Sequence, residues 1–341
     1  MTRFILFGTA LIAGVLVIVY FGQGHANVRD PGLTFGPETE FPPVEVDEEP
    51  EPVAQLKDLP KPAAFDGKRA MDYLKAVCAI GPRMSATDGM KKQQELLRKH
   101  FEKLQIPVKM QAFEARQLSL TRGVDMANMI VSFAPERTRR AIICTHYDTR
   151  PIADQEPDPG NWRDPFVSAN DGGSGVALMM ELAHHLKDLK LEVGVDLVFF
   201  DGEEYVWRPR GDIYFFGSSH FAQTWAKTRK PDYLGAVLLD MIAGKDVRIP
   251  QEVNSRRRAP ALTREIFDLA RSLECPILVR ENGDEVQDDH LELQKVGIQA
   301  IDLIDFRYPH WHRLTDTPEN CSPEGMVQVA KVLSVWLQRL K

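Results

Sequence analysis

The segment Val195-Asp196-Leu197-Val198-Phe199-Phe200 is apolar at five of six positions and is bounded by Gly194 in front and Asp201-Gly202 behind. It is too short for a core helix, and an unalternating apolar run of this length has both faces buried, as in a parallel strand covered by helices on each side. Comparable β-rich runs occur near 107–113, 125–133, 140–145, 235–239, 276–279 and 299–305. Between them, helical spacing of apolar residues appears near 66–79, 87–104, 174–187, 217–228, 260–273, 289–296 and 323–340. This alternation predicts an α/β fold, a three-layer αβα sandwich around a mixed, mostly parallel sheet. In such sheets ligands sit beyond the carboxyl ends of the strands.

The 341 residues are 43% hydrophobic and 27% charged, the balance of a globular protein with a sizeable core. A net charge of −7 argues against an electrostatic nucleic-acid footprint. Three regions are expected. Residues 1–26 contain an uncharged apolar run from Phe4 to Gly22, near the length that crosses a bilayer. This reads as an uncleaved membrane anchor or, with Gly24-His25-Ala26 as small residues near a cleavage point, a signal peptide. Either way the rest of the chain is expected outside the cytoplasm, membrane-anchored (periplasmic or extracytoplasmic) or secreted. Residues 27–62 hold eight prolines and nine acids against three bases, an extended, self-repelling tether. Residues 63–341 are then nearly neutral and form one catalytic domain. Four scattered cysteines (Cys78, Cys144, Cys275, Cys321) make neither a disulfide framework nor a thiolate metal site.

Several of the predicted strands end in chemistry. Strand 140–145 runs into His146-Tyr147-Asp148, and the loop beyond reaches Asn170-Asp171-Gly172-Gly173-Ser174-Gly175 before a helix. Strand 195–200 runs into Asp201-Gly202-Glu203-Glu204, strand 235–239 into Asp240, and strand 299–305 toward Trp311-His312. Singly these have ordinary explanations: Asp171 as a helix cap, Asp201-Gly202 as a turn, His312 as a hydrogen-bonded loop residue. Together on one sheet edge, the carboxylates would repel one another unless a cation compensates them. A thiolate-free set of Asp, Glu and His suits catalytic zinc with three protein ligands and an open position, and Asp171, Glu204 and His312 are the best candidates. Adjacent Glu203 is then free to act as general acid and base.

These motifs, with Gly217-Ser218-Ser219-His220, resemble the zinc-dependent M28 peptidase superfamily over about residues 65–341. Three features are similar to its glutaminyl cyclase branch: the long insertion Tyr205 to Phe216, the stretch Val286-Gln287-Asp288-Asp289-His290, and Trp311 directly before His312. The resemblance implies one Zn2+ on Asp171, Glu204 and His312, proton transfer by Glu203, and an acidic pair, Asp240 and Asp288, behind it. It also implies a glutamine pocket lined by Trp207, Val286, Tyr308 and Trp311. The implied reaction converts an N-terminal glutamine of a peptide or protein to pyroglutamate with release of ammonia.

Other features leave an M28-type aminopeptidase open. The surroundings of Asp171 look peptidase-like, and Tyr308 to His312 is one residue shorter than in cyclases. His146 and Asp240 occupy the positions that hold a second zinc in two-metal aminopeptidases. A non-catalytic ectodomain on the same fold is the third reading.

Some signals carry little. Gly172-Gly173-Ser174-Gly175-Val176 misses the last glycine of a nucleophile elbow. Arg256-Arg257-Arg258 is expected in a solvated loop, His184-His185 as a solvated or end-capping pair late in a helix, and Cys144 in the core.

Overall fold

The computed structural model describes residues 56–341. The expected anchor or signal (1–26) and most of the tether lie outside the described residues. The chain order is α1 (Gly67–Cys78), α2 (Asp88–Lys103), β1 (Val108–Ala115), β2 (Val124–Phe133), β3 (Arg139–His146), α3 (Gly173–Leu182), β4 (Gly194–Phe200), α4 (Phe216–Ala226), β5 (Asp232–Asp240) and β6 (Ile249–Gln251). It continues through α5 (Val253–Arg258), α6 (Pro260–Ser272), β7 (Leu278–Asn282), α7 (Asp289–Lys295), β8 (Ala300–Ile304) and α8 (Pro323–Arg339).

The main sheet has the order β1-β2-β4-β3-β5-β8. β4, β3, β5 and β8 are mutually parallel, while β1 and β2 extend the sheet as an antiparallel hairpin. The expected mixed, mostly parallel sheet is therefore present. Strand periodicity sorts the two faces. Ile143, Leu197, Phe199, Leu239 and Leu303 enter the larger core, where residues of α1, α2, α3, α6 and α8 pack. Their neighbours Ile142, Cys144, Val198, Phe200 and Leu238 enter a smaller core that includes Phe221 of α4 and Leu293 of α7. The one polar residue of β4, Asp196, tolerates its buried position because Arg140 engages it through Nη2 at 2.6 Å and Nε at 2.9 Å. Ser132 and Tyr233 also donate to it.

The local departures have simple causes. The helix expected over 174–187 ends at Leu182, and His184 instead meets the Tyr73 hydroxyl at 2.8 Å. The Arg256-Arg257-Arg258 stretch is not a loop but the last turn of the short α5, which Glu252 caps by accepting from Asn254 and Ser255 N–H. The run near 276–279 does not join the main sheet; as β7 it pairs with β6, a three-residue strand too short to show periodicity. Leu56 and Leu59 pack against the larger core, so the end of the proline-rich stretch lies on the domain.

Where α3 meets the strands there is no room for a side chain. A Cβ on Gly175 would lie 2.2 Å from Thr145 Oγ1 and 2.8 Å from the Leu239 carbonyl oxygen. Because the second contact is backbone, Gly175→Ala is expected to cost about 2–3 kcal/mol, as forced overpacking does. Chemical denaturation would measure this, and an unchanged midpoint would refute the close approach.

Candidate metal centre

The parallel strands β3, β4, β5 and β8 deliver their carboxyl ends to one edge, and the sequence motifs meet there. His146 closes β3, Asp201-Gly202-Glu203-Glu204 follows β4, Asp240 closes β5, and the segment after β8 carries His312. Asp171 arrives from the side, immediately before the N-terminus of α3. Gly172 holds a φ of +70°, and a Cβ there would lie 2.7 Å from the His146 ring, so only glycine lets this turn reach the edge.

Asp171, Glu204 and His312 are buried, and each offers a ligand atom within 4.8 Å of the others. His312 Nε2 lies 3.2 Å from Glu204 Oε2 and 3.6 Å from Asp171 Oδ2. Two overlapping sets adjoin this one: His146, Asp171 and Asp240, and His146, Glu203 and Glu204. In the first, His146 Nε2 is 3.1 Å from Asp171 Oδ1 and 3.4 Å from Asp240 Oδ1. The identities of the residues therefore permit a second metal position beside the first.

Electrostatics explain what this cluster asks for. Burial, reinforced by Asp171, pushes Glu204 up to about 7 despite His312 beside it. Burial also lifts Glu203 and Asp288 well above the ordinary carboxylate range, reinforced by Asp288 acting on Glu203 and by Asp240 acting on Asp288. Asp240 is raised for the same reason. Asp171 goes the other way: burial is outweighed by His146 and His312, which hold it below its usual value. A divalent cation on Asp171, Glu204 and His312 would compensate this crowd of carboxylates. It would also engage Asp171 Oδ2, a buried oxygen without a hydrogen-bond partner. The donor set, oxygen and imidazole nitrogen without sulfur, fits zinc in a catalytic setting.

Several residues that hold these groups carry no motif. Asp148 accepts from the backbone N–H groups of Glu203 and Glu204 at 3.1 and 3.3 Å, turning the two acids in different directions. Asp316 accepts from Asn170 N–H at 2.9 Å, Asp171 N–H at 3.1 Å and the Tyr308 hydroxyl at 2.9 Å, and so fixes the Asp171 turn. Asp154 Oδ1 lies 2.9 Å from His312 Nδ1. Asp154 and Asp316 sit in loops whose path sequence periodicity does not report. Asp148, inside a motif, was visible but its backbone partners were not.

The four expected pocket residues lie in two apolar clusters. Val286, Tyr308 and Trp311 share an apolar cluster with Met241, Ile304 and Phe306, and Trp311 lies over His312 with ring centroids 4.1 Å apart. Trp207 belongs to a separate cluster with Ala115, Met126, Tyr205 and Phe216. The segment Tyr205 to Phe216 that carries it is held by two buried side chains. Asp212 accepts from Trp207 and Arg208 N–H, each at 2.9 Å, and from the Ser119 hydroxyl. Gln117 donates to the carbonyls of Tyr205 and Ile213.

The αβα sandwich thus carries a potential metal-ligand set at the carboxyl edge of its parallel strands. The chain belongs to peptidase family M28, whose sequence profile matches residues 128–337. Among solved structures it is similar to Fimbriiglobus ruber glutaminyl cyclase, with 48% identity and a TM-score of 0.81 over 84% of this chain and 100% of that one. It also resembles a leucine aminopeptidase precursor from Bacteroides thetaiotaomicron, with 26% identity and a TM-score of 0.77 over 83% and 100%. A curated relative, the glutaminyl-peptide cyclotransferase of Bos taurus, is 26% identical over 249 residues, 62% of this chain. That match spans 65% of the bovine protein's length.

Proposed function

We propose that the protein is a zinc-dependent glutaminyl-peptide cyclotransferase (an acyltransferase) acting on the N-terminal glutamine of peptides or proteins. The observation that carries this reading is the 48% identity with a bacterial glutaminyl cyclase across the whole of that chain, joined to a buried Asp171, Glu204 and His312 set. When bound, zinc supplies Lewis acidity toward the γ-carboxamide oxygen.

The protein's own groups do the rest. Glu203, beside the ligand Glu204 but only partly buried, is placed to take a proton from the substrate α-amine. Its raised pKa suits a group that must accept that proton and then return it to the departing nitrogen. The bond from the α-nitrogen to the side-chain carbonyl carbon forms, the bond to the amide nitrogen breaks, and ammonia leaves with the transferred proton. No water is consumed, so a substrate pocket with apolar walls, for which Val286, Trp311 and Trp207 are the candidates, would protect the reaction from hydrolysis. Burial and the negative charge of Asp288 favour the protonated state of Glu203 between the two transfers, and Asp240 in turn acts on Asp288.

A second reading, an M28 aminopeptidase, is favoured by one observation: His146, Asp171 and Asp240 already approach one another as a second metal position would require. A direct comparison separates the two. With zinc supplied, two short peptides differing only in N-terminal Gln or Leu are followed by mass spectrometry. Loss of ammonia from the Gln peptide alone, above its spontaneous rate, is expected. Release of a whole leucine from the other peptide would overturn the cyclase assignment in favour of hydrolysis. We further propose export of the catalytic domain, on the strength of the apolar run Phe4 to Gly22 and the proline-rich tether that follows it. Among the described residues, no helix is long and apolar enough to cross a membrane.

A further inference from the structure

Arg150 is buried to 3% exposure, and its contacts run directly to Glu204, through Asp154 toward His312, and to the insertion beside them. Its backbone N–H donates to Glu204 Oε1 at 2.9 Å. Its guanidinium grips Asp154 through Nε to Oδ1 and Nη2 to Oδ2, both at 3.0 Å, and Asp154 Oδ1 in turn lies 2.9 Å from His312 Nδ1. The same Nη2 donates to the Tyr214 hydroxyl at 3.2 Å, and the guanidinium carbon stands 5.5 Å from the centre of the Tyr214 ring. Nη1 is buried without a hydrogen-bond partner, 4.0 Å from Glu204 Oε2.

A two-pronged contact of this kind sets the plane of the carboxylate as well as its position. Asp154 so held stands 2.9 Å from His312 Nδ1, on the side of the ring away from Nε2, which faces Glu204 Oε2 at 3.2 Å and Asp171 Oδ2 at 3.6 Å. Tyr214 belongs to the Tyr205 to Phe216 segment, whose ends are tied to the acid pair by Val206 N–H to the Glu204 carbonyl at 2.6 Å and Phe215 N–H to the Glu203 carbonyl at 2.9 Å. We propose that Arg150 is a positioning residue that couples the ligand set to this segment, so that metal binding and the order of residues 207–214 are linked. It rests on the reading of Asp171, Glu204 and His312 as metal ligands. It adds a residue that touches neither metal nor substrate.

The test measures zinc affinity of the metal-free protein by competition with a chelating dye, independently of turnover. Substituting the side chain leaves the Arg150 peptide N–H in place, so the guanidinium alone is examined. Arg150→Met and Asp154→Asn are each expected to weaken zinc binding about 10–100-fold, the usual effect of losing a group that orients a ligand. Because both act along one path, the double variant should be no weaker than the poorer single one. Binding by Arg150→Met within about threefold of the unsubstituted protein, or losses that multiply in the double variant, would overturn the proposal.

If Arg150→Met fails to fold, Arg150→Lys keeps the charge without the fork; it should still bind zinc about tenfold more weakly. Unchanged affinity in that variant would equally defeat the idea. Hydrogen exchange supplies the second readout. Zinc should slow exchange at residues 207–214 in the unsubstituted protein and not in the Arg150 variant, whereas equal slowing in both would sever the link to the segment. Failure of the unsubstituted protein to bind zinc would instead refute the metal centre itself, which keeps the two failures apart.

Discussion

Glu203→Gln is expected to lower turnover of an N-terminal glutamine peptide by about 10²–10⁴-fold while zinc content stays at the level of the unsubstituted protein. Glutamine preserves the volume of the side chain and removes only its ability to exchange a proton. The loss therefore isolates proton transfer from pocket shape. The pH profile gives the sign. Burial and the neighbouring Asp288 hold Glu203 well above the usual carboxylate range, so as the pH falls through that raised value the base becomes protonated and the rate drops. In the variant this limb should vanish, leaving the dependence set by ionisation of the substrate α-amine. An unchanged rate, or an unchanged acid limb, would remove Glu203 from the chemistry and redirect attention to Asp240 or Asp288.

His312→Ala is the second large effect, and it concerns the metal alone. Loss of an imidazole from a three-residue donor set should cost zinc affinity at least about 100-fold, more than the loss of an outer partner such as Asp154. Metal analysis after dialysis against a weak chelator would read this directly, and full zinc occupancy in the variant would disprove ligation. The fold should survive, because His312 sits in a loop after β8 and the two main cores draw their packing elsewhere. The same metal analysis on the unsubstituted protein bears on the competing reading. About one zinc per chain agrees with the cyclase, and about two would assign His146 and Asp240 to a second position and favour hydrolysis.

The two variants also separate roles that neighbouring residues could be thought to share. Glu203 and Glu204 are adjacent in sequence, yet Glu204 Oε2 lies 3.2 Å from His312 while Glu203 remains partly open. The division comes from Asp148, whose carboxylate accepts both backbone N–H groups and holds the turn in one conformation. Proton transfer and metal ligation can then be removed one at a time.

What the sequence determined by itself was the layer architecture and the edge at which the chemistry collects. Largely apolar, unalternating runs such as Val195 to Phe200 are satisfied by helices on both faces, and each motif follows a strand end, so His146, Glu204, Asp240 and His312 are legible as one site from the sequence. What only the tertiary structure decided were pairings that carry no local pattern. The two-stranded β6–β7 sheet escaped because three residues have no period. Asp154, Asp316 and Arg150 escaped because a lone charged residue in a loop looks solvated until the chain brings its partner to it, as Asp316 meets Asn170 and Asp171 across about 145 residues. The residues expected to wall the glutamine pocket lie in two apolar clusters for the same reason: Trp207 is steered by Asp212 and Gln117, while Trp311 packs with Phe306 and Val286. Periodicity is a short-range property of the chain and records which face of an element is buried. Which distant side chain fills the space beyond that face is set by three-dimensional packing, and a sequence read locally holds no trace of it.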